Sequence, residues 1–69
     1  MPFNGDALRN KRAEKGMSVP DIVFAFAQRG WRITSQAVYE WEQGKRPSQM
    51  NQQRIAQLLG VDEAFFYSN

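Results

Sequence analysis

The residues best suited to chemistry in this chain are cations and hydrogen-bonding side chains in its middle third. Residues 28–54 contain five basic side chains and two acidic ones, whereas residues 55–69 contain two acidic side chains and no basic one. The basic residues of the middle segment are Arg29, Arg32, Lys45, Arg46 and Arg54. Such a segment suits a polyanionic partner, although scattered Lys and Arg are as often an ordinary solvated surface.

Catalytic side chains are scarce. The 69 residues include no histidine and no cysteine, and they show neither a glycine-rich phosphate loop nor paired carboxylates with an obvious cleft. Nucleophile activation and general acid–base catalysis therefore lack their usual groups. We expect a protein that is not an enzyme and that has no cofactor, no metal site and no small-molecule substrate.

Length and composition limit the architecture. A chain of 69 residues supports one domain, which we expect to span residues 1–69. The absence of cysteine excludes disulfides and suits a reducing, cytoplasmic location. The apolar run at residues 22–27 is too short to span a bilayer, and the N-terminus lacks the layout of a signal peptide. We therefore expect a cytoplasmic protein without membrane attachment.

The elements that must position the central side chains are predicted to be helices. Capping residues and helical spacing predict helices over residues 6–15, from the Ser18 cap to residue 28 or 29, over 35–43 and over 50–59. A last helical turn follows near residues 62–66. Ser18 with Asp21 forms a capping box, Thr34 caps the third helix, and Gly60 ends the fourth. No segment alternates as a strand, so the expected fold class is all-α, a compact bundle of about five short helices.

A capped pair of helices joined by a turn in the middle of such a bundle is the layout of a helix-turn-helix domain. Over about residues 5–67 the chain resembles the family of phage repressors, Cro proteins and Xre-like regulators. The most recognisable segment is VYEWEQGKRP at residues 38–47. The other matching segments are LRNKR at 8–12, GMS at 16–18, IT at 33–34, IA at 55–56 and LGV at 59–61.

The resemblance implies a lambda-repressor-like fold whose third helix enters the major groove of double-stranded DNA. In the family, side chains at the start of this helix and one turn further on contact base edges. The matching residues, which lie away from the core positions of the helix, are Ser35, Gln36, Tyr39 and Glu40. Their amide, hydroxyl and carboxylate groups suit base edges, although each would also be an ordinary exposed helix residue.

Phosphate contacts and one structural ion pair are also implied. The expected phosphate-binding residues are Thr34, Gln43, Lys45, Arg46 and Arg32. Arg29 and Arg32, by their place in the extended turn, either add phosphate contacts or are solvated charges. Arg12 and Glu42 match a family pair that ties the first helix to the end of the third.

The sequence departs from the family in two places. Val19 and Pro20 stand where the family usually has a glutamine that holds a backbone phosphate. The caps Ser18 and Thr34 are sixteen positions apart, against eleven in the family. We expect the five extra residues to lengthen the second helix by about three and to extend the turn before the third helix by two.

The aromatic residues leave alternatives open. Phe24 and Trp31 either form a partner surface or pack as a satellite core under the long turn. Phe65, Phe66 and Tyr67 either form the contact of a homodimer or close the core. The first functional expectation is a repressor-like transcriptional regulator that binds DNA as a homodimer. The alternative is an antitoxin- or coactivator-like module that binds a protein partner through its aromatic residues.

Overall fold

The computed structural model describes residues 2–67, whose regular structure is entirely helical. The elements are α1 (Gly5–Glu14), α2 (Val19–Gln28), α3 (Ser35–Glu42), α4 (Gln49–Leu59) and a 3₁₀ helix (Glu63–Tyr67). This confirms the predicted all-α fold, and each predicted α-helix boundary agrees with the structure to within one residue. Within residues 2–67, no helix has the length and apolar character needed to cross a bilayer.

The N-termini of α2 and α3 are capped as predicted. At α2, the Ser18 hydroxyl accepts from the Asp21 N–H at 3.2 Å, and the Asp21 carboxylate accepts from the Ser18 N–H at 2.8 Å. The main-chain N–H of Ser18 and, after it, the Ser18 hydroxyl lower the pKa of Asp21, because both stabilise the charged carboxylate. At α3, the Thr34 hydroxyl accepts from the Ala37 N–H at 3.1 Å.

Two caps that the sequence reading did not use explain why α1 and α4 each begin one residue earlier than predicted. The Asn4 side chain accepts from the Ala7 N–H at 3.0 Å, and the Ser48 hydroxyl accepts from the Asn51 N–H at 3.2 Å. At the other end of α4, Gly60 adopts the left-handed conformation with φ of 72°. This confirms the predicted glycine stop.

The core lies where the four α-helices and the 3₁₀ helix meet. Its fully buried apolar side chains are Leu8, Ile22, Phe26, Val38, Ile55, Leu59 and Phe66. Phe66 also packs against Phe3, with ring centroids 5.2 Å apart. Phe66 therefore closes the core, which is one of its two predicted alternatives. The other alternative, a part in the dimer contact, is wrong for this residue. Phe65 and Tyr67 are only half-buried.

The turn between α2 and α3 packs back on the core through Trp31. Its indole ring meets Phe26 edge to face, with centroids 5.4 Å apart, and its main-chain N–H donates to the Phe26 carbonyl at 2.9 Å. Trp31 therefore packs as part of a satellite core under the long turn, which is one of its two predicted alternatives. Phe24, on α2, remains 64% exposed.

The position of α3 depends on a close approach at Gly5, the buried first residue of α1. A Cβ atom at Gly5 would lie 2.5 Å from the main-chain carbonyl oxygen of Trp41 and closer still to that of Glu42. Non-bonded heavy atoms normally keep about 3.5–4.0 Å apart. Only glycine therefore lets the start of α1 lie directly against the last turn of α3.

Candidate nucleic-acid interface

Helix α3 buries one face and presents the opposite face to solvent. Val38 and Trp41 are buried in the core, and Glu42 is buried beside α1. Since helical residues three and four positions apart share a face, the remaining polar side chains gather on the outer side. The structure places Gln36 and Tyr39 at exposed positions and Ser35 and Glu40 at half-buried ones. All four predicted base-reading residues thus reach one accessible surface.

A hydrogen-bonded chain of side chains runs along this surface. Gln36 Nε2 donates to one carboxylate oxygen of Glu40 at 3.3 Å, and Lys45 Nζ donates to the other at 3.2 Å. The bond from Gln36 and, after it, the bond and charge of Lys45 lower the pKa of Glu40. Both partners therefore favour the ionised form of the Glu40 carboxylate. One N–H of Gln36 is committed to Glu40, which leaves its second N–H and its carbonyl oxygen for another partner.

The loop after α3 carries two cations on a well-defined backbone. The Gly44 N–H donates to the Trp41 carbonyl and the Lys45 N–H to the Glu40 carbonyl, each at 3.0 Å, which is the Schellman pattern of helix termination. Gly44 permits this pattern because its φ is 105°. Lys45 forms an ion pair with Glu40, whereas Arg46 is exposed and has no acidic partner within residues 2–67.

The far end of this loop is held by a buried amide that sequence reasoning missed. Gln52, only 2% exposed, donates to the Pro47 carbonyl at 3.0 Å and accepts from the Tyr67 hydroxyl at 2.6 Å. A buried amide satisfied at both ends makes a rigid support. The available signal was a polar residue at a core-facing position of α4, three residues before Ile55 and seven before Leu59.

The remaining predicted phosphate-binding residues lie at the two ends of α3. Thr34 uses its hydroxyl oxygen to cap the helix, and its hydroxyl hydrogen can still be donated elsewhere. Arg32 is exposed in the turn just before Thr34. Gln43 is exposed at the C-terminal cap of the helix. Together with the Lys45–Arg46 loop, these side chains give α3 hydrogen-bond donors at both ends.

Behind the surface, Arg12 and Glu42 form a two-bond ion pair. Arg12 Nε and Nη2 donate to the two carboxylate oxygens of Glu42 at 2.5 and 3.1 Å, and Nη1 donates to the Met17 carbonyl at 2.9 Å. The bond to Glu42 raises the pKa of Arg12 and outweighs the opposing effect of burial. The pair joins α1 to the C-terminal end of α3.

The geometry is that of a helix-turn-helix domain: α2 and α3 are joined by a turn, and α3 presents a polar face with cations beside it. Comparison with known families agrees, because the family model described as Helix-turn-helix matches residues 8–66. The chain belongs to this family, that of the Xre, Cro and phage-repressor type, whose members are DNA-binding transcription regulators rather than typical enzymes. Searches among curated proteins and solved structures found no match.

Proposed function

We propose that this protein binds double-stranded DNA in a sequence-specific manner, with α3 in the major groove, and acts as a repressor of transcription. The observation that carries the proposal is the polar face of α3, with Arg32 before the helix and Arg46 after it. A helix about 10–12 Å across fills a major groove about 12 Å wide, so both DNA strands pass close to it. Cations at both ends of the helix suit that arrangement.

Base reading is assigned to the outer face of α3. The second N–H of Gln36 donates to adenine N7 while its carbonyl oxygen accepts from adenine N6, and the existing bond to Glu40 orients the amide for this contact. The ionised Glu40 carboxylate accepts from cytosine N4. Ser35 and Tyr39 offer hydroxyl groups beside the base contacts of Gln36 and Glu40.

Phosphate binding is assigned to the ends of α3. Arg46 and Lys45 hold one strand from the loop after the helix. Thr34 and Arg32 hold the backbone near its N-terminal end, and Gln43 donates from the C-terminal cap. Contacts of this type set the register of the protein on the duplex without selecting a sequence.

A homodimer on a two-fold DNA site completes the proposal. Phe65 and Tyr67 each keep part of their side-chain surface exposed to solvent, and each already has a partner within the domain. Phe65 lies under the Lys11 ammonium, 5.3 Å from ring centroid to Nζ, and Tyr67 donates to Gln52. We assign the outer edges of these two rings to the contact between copies. Occupation of a promoter by such a dimer would block transcription.

Selection of bound sequences from a random duplex library, followed by titration of the selected site at several salt concentrations, tests the proposal. We expect one enriched motif with two-fold symmetry and an affinity that falls steeply with added salt, because phosphate neutralisation releases counterions. Light scattering of the complex should show two protein copies on each duplex. An unenriched library together with salt-insensitive binding would rule out sequence-specific recognition.

The exposed ring of Phe24 favours one alternative function. At 64% exposure it is the most exposed of the large apolar side chains within residues 2–67. A protein-interaction module built on the same fold would use this ring as a contact. Replacing Phe24 with Ser distinguishes the two functions, because DNA affinity should stay unchanged while binding to a protein partner would be lost.

A further inference from the structure

We propose that Trp31 holds Arg29 and Arg54 as a second phosphate-binding site, beside the N-terminal end of α3. The inference rests on the proposed DNA binding and adds a contact outside the major groove. The guanidinium carbon of Arg54 lies 4.9 Å from the centroid of the Trp31 ring, and that of Arg29 lies 5.8 Å from it. Arg54 comes from α4 and Arg29 from the end of α2, so one ring joins cations from two separate elements.

The indole ring is a rigid platform for these cations. Trp31 packs edge to face on the fully buried Phe26 and is tied to the carbonyl of the same residue by its main-chain N–H. An arginine that lies over an aromatic ring uses its flat face and leaves N–H groups on its edges for other partners. Arg29 donates one of these, from Nη1, to the Ala25 carbonyl at 3.5 Å and keeps the others. Those edges have the fork geometry that binds a phosphate through two hydrogen bonds.

The charge of the cluster is not compensated by the protein. The four ion pairs within residues 2–67 use the cations Arg9, Lys11, Arg12 and Lys45. Arg29, Arg54 and the nearby Arg32 therefore have no acidic partner in the described part of the chain. Three cations gathered without a counter-charge create a positive potential that favours an anion.

The place of the cluster indicates that this anion is a DNA phosphate. Trp31 precedes the helix cap Thr34 by three residues, a span of at most about 11 Å. Trp31 also lines one shallow groove with Arg32 and Thr34, so the ring that holds the two cations reaches the start of α3 as well. A duplex that accepts α3 in its major groove brings its sugar–phosphate backbone to this same side. The occupant is thus the backbone that flanks the bases contacted by α3.

The test compares salt titrations of duplex binding by the wild type, the double variant Arg29→Gln/Arg54→Gln and the control Arg9→Gln. Arg9 is the matched control because it is an exposed arginine on α1 whose charge is already paired with Asp6. We expect the double variant to lower the salt slope by about one unit for each lost contact, so that a fourfold rise in salt weakens its binding by roughly three- to fourfold less per contact than it weakens wild-type binding. The control should keep the wild-type slope, and sequence preference should be unchanged in both variants.

A second measurement locates the contact on the DNA. Single neutral methylphosphonates are placed at successive backbone positions that flank the selected site. We expect the wild type to lose affinity at one or two of these positions and the double variant to be insensitive at the same positions. Trp31→Leu should resemble the double variant, and Trp31→Phe should restore most of the slope because it keeps an aromatic face. Circular dichroism shows whether each variant is folded. If a variant is not folded, the single variant Arg54→Gln takes its place.

The outcomes separate this inference from the function on which it rests. If the wild type does not bind duplex DNA at any salt concentration, the proposed function fails and the phosphate site fails with it. If the wild type binds with a steep salt dependence but the double variant matches Arg9→Gln, the DNA-binding proposal stands and the Trp31 site is overturned. Equal sensitivity of the wild type and the double variant to every methylphosphonate would overturn it as well.

Discussion

Arg12 and Glu42, separated by 30 residues in sequence, are joined by two hydrogen bonds that hold the end of α3 against α1. Their side chains keep only 17% and 6% of their surface exposed, so solvent screens the pair weakly. The third bond of Arg12, to the Met17 carbonyl, extends the tie to the segment that leads into α2. The helix proposed to read DNA is therefore anchored from behind by a charge pair.

Replacing either partner alone should destabilise the fold, because the other charge is then left without its counter-charge. We expect Arg12→Ala and Glu42→Ala each to cost about 2–3 kcal/mol, below the range for complete burial because Arg12 keeps part of its surface. The double variant should cost clearly less than the sum of the single variants, as measured by thermal and denaturant unfolding. The exposed pair Asp6–Arg9 is the control and should show little coupling. Additive effects at Arg12 and Glu42 would contradict the prediction.

Gln36→Ala should reduce sequence preference while leaving the fold intact. We expect a loss of about 1–3 kcal/mol on the selected site and almost none on random duplex, because base contacts are removed and the proposed phosphate contacts are kept. Stability should barely change, since alanine is the better helix former at an exposed position. Paired titrations of both duplexes, with thermal melts beside them, measure this. A folded variant that keeps the wild-type ratio of the two affinities would show that Gln36 does not read bases.

The two cations after α3 should both act on phosphate but with different strength. Arg46→Ala and Lys45→Ala should each lower the salt slope by about one unit and weaken binding to selected and random DNA alike. Arg46→Ala should cost more affinity, because Lys45 must first leave its bond to Glu40. Salt titrations of the two variants on both duplexes provide the measurement. A changed sequence preference with an unaltered salt slope would show that these residues read bases and do not bind phosphate.

Gly5→Ala tests whether helix propensity or tertiary packing decides the effect of a substitution at the start of α1. Helix propensity alone predicts that alanine in α1 stabilises the protein. The structure predicts the opposite, a loss of about 1–3 kcal/mol or more, because the added methyl group collides with the main chain at the end of α3. The control is Ala13→Gly, an exposed change in the same helix that should follow propensity. An unfolding midpoint for Gly5→Ala at or above that of the wild type would show that α1 and α3 can move apart freely.

Local sequence rules were sufficient for the ends of the helices. The capping box of Ser18 and Asp21, the Thr34 cap and the glycine stop at Gly60 involve groups within a few residues of one another. Such interactions depend on the order of neighbouring residues and hardly on the rest of the fold. Asn4 and Ser48 obey the same rules, so the one-residue differences at α1 and α4 were also open to prediction.

The sequence by itself determined the helical class, the helix ends and the polar composition of α3, because capping and helical periodicity are short-range properties. Only the tertiary structure decided that Phe66 closes the core, that Gln52 links Pro47 to Tyr67, and that Arg54 lies over Trp31. Each of these depends on how distant elements approach one another. That approach is set by the joint packing of all the helices around one core, which no local pattern contains.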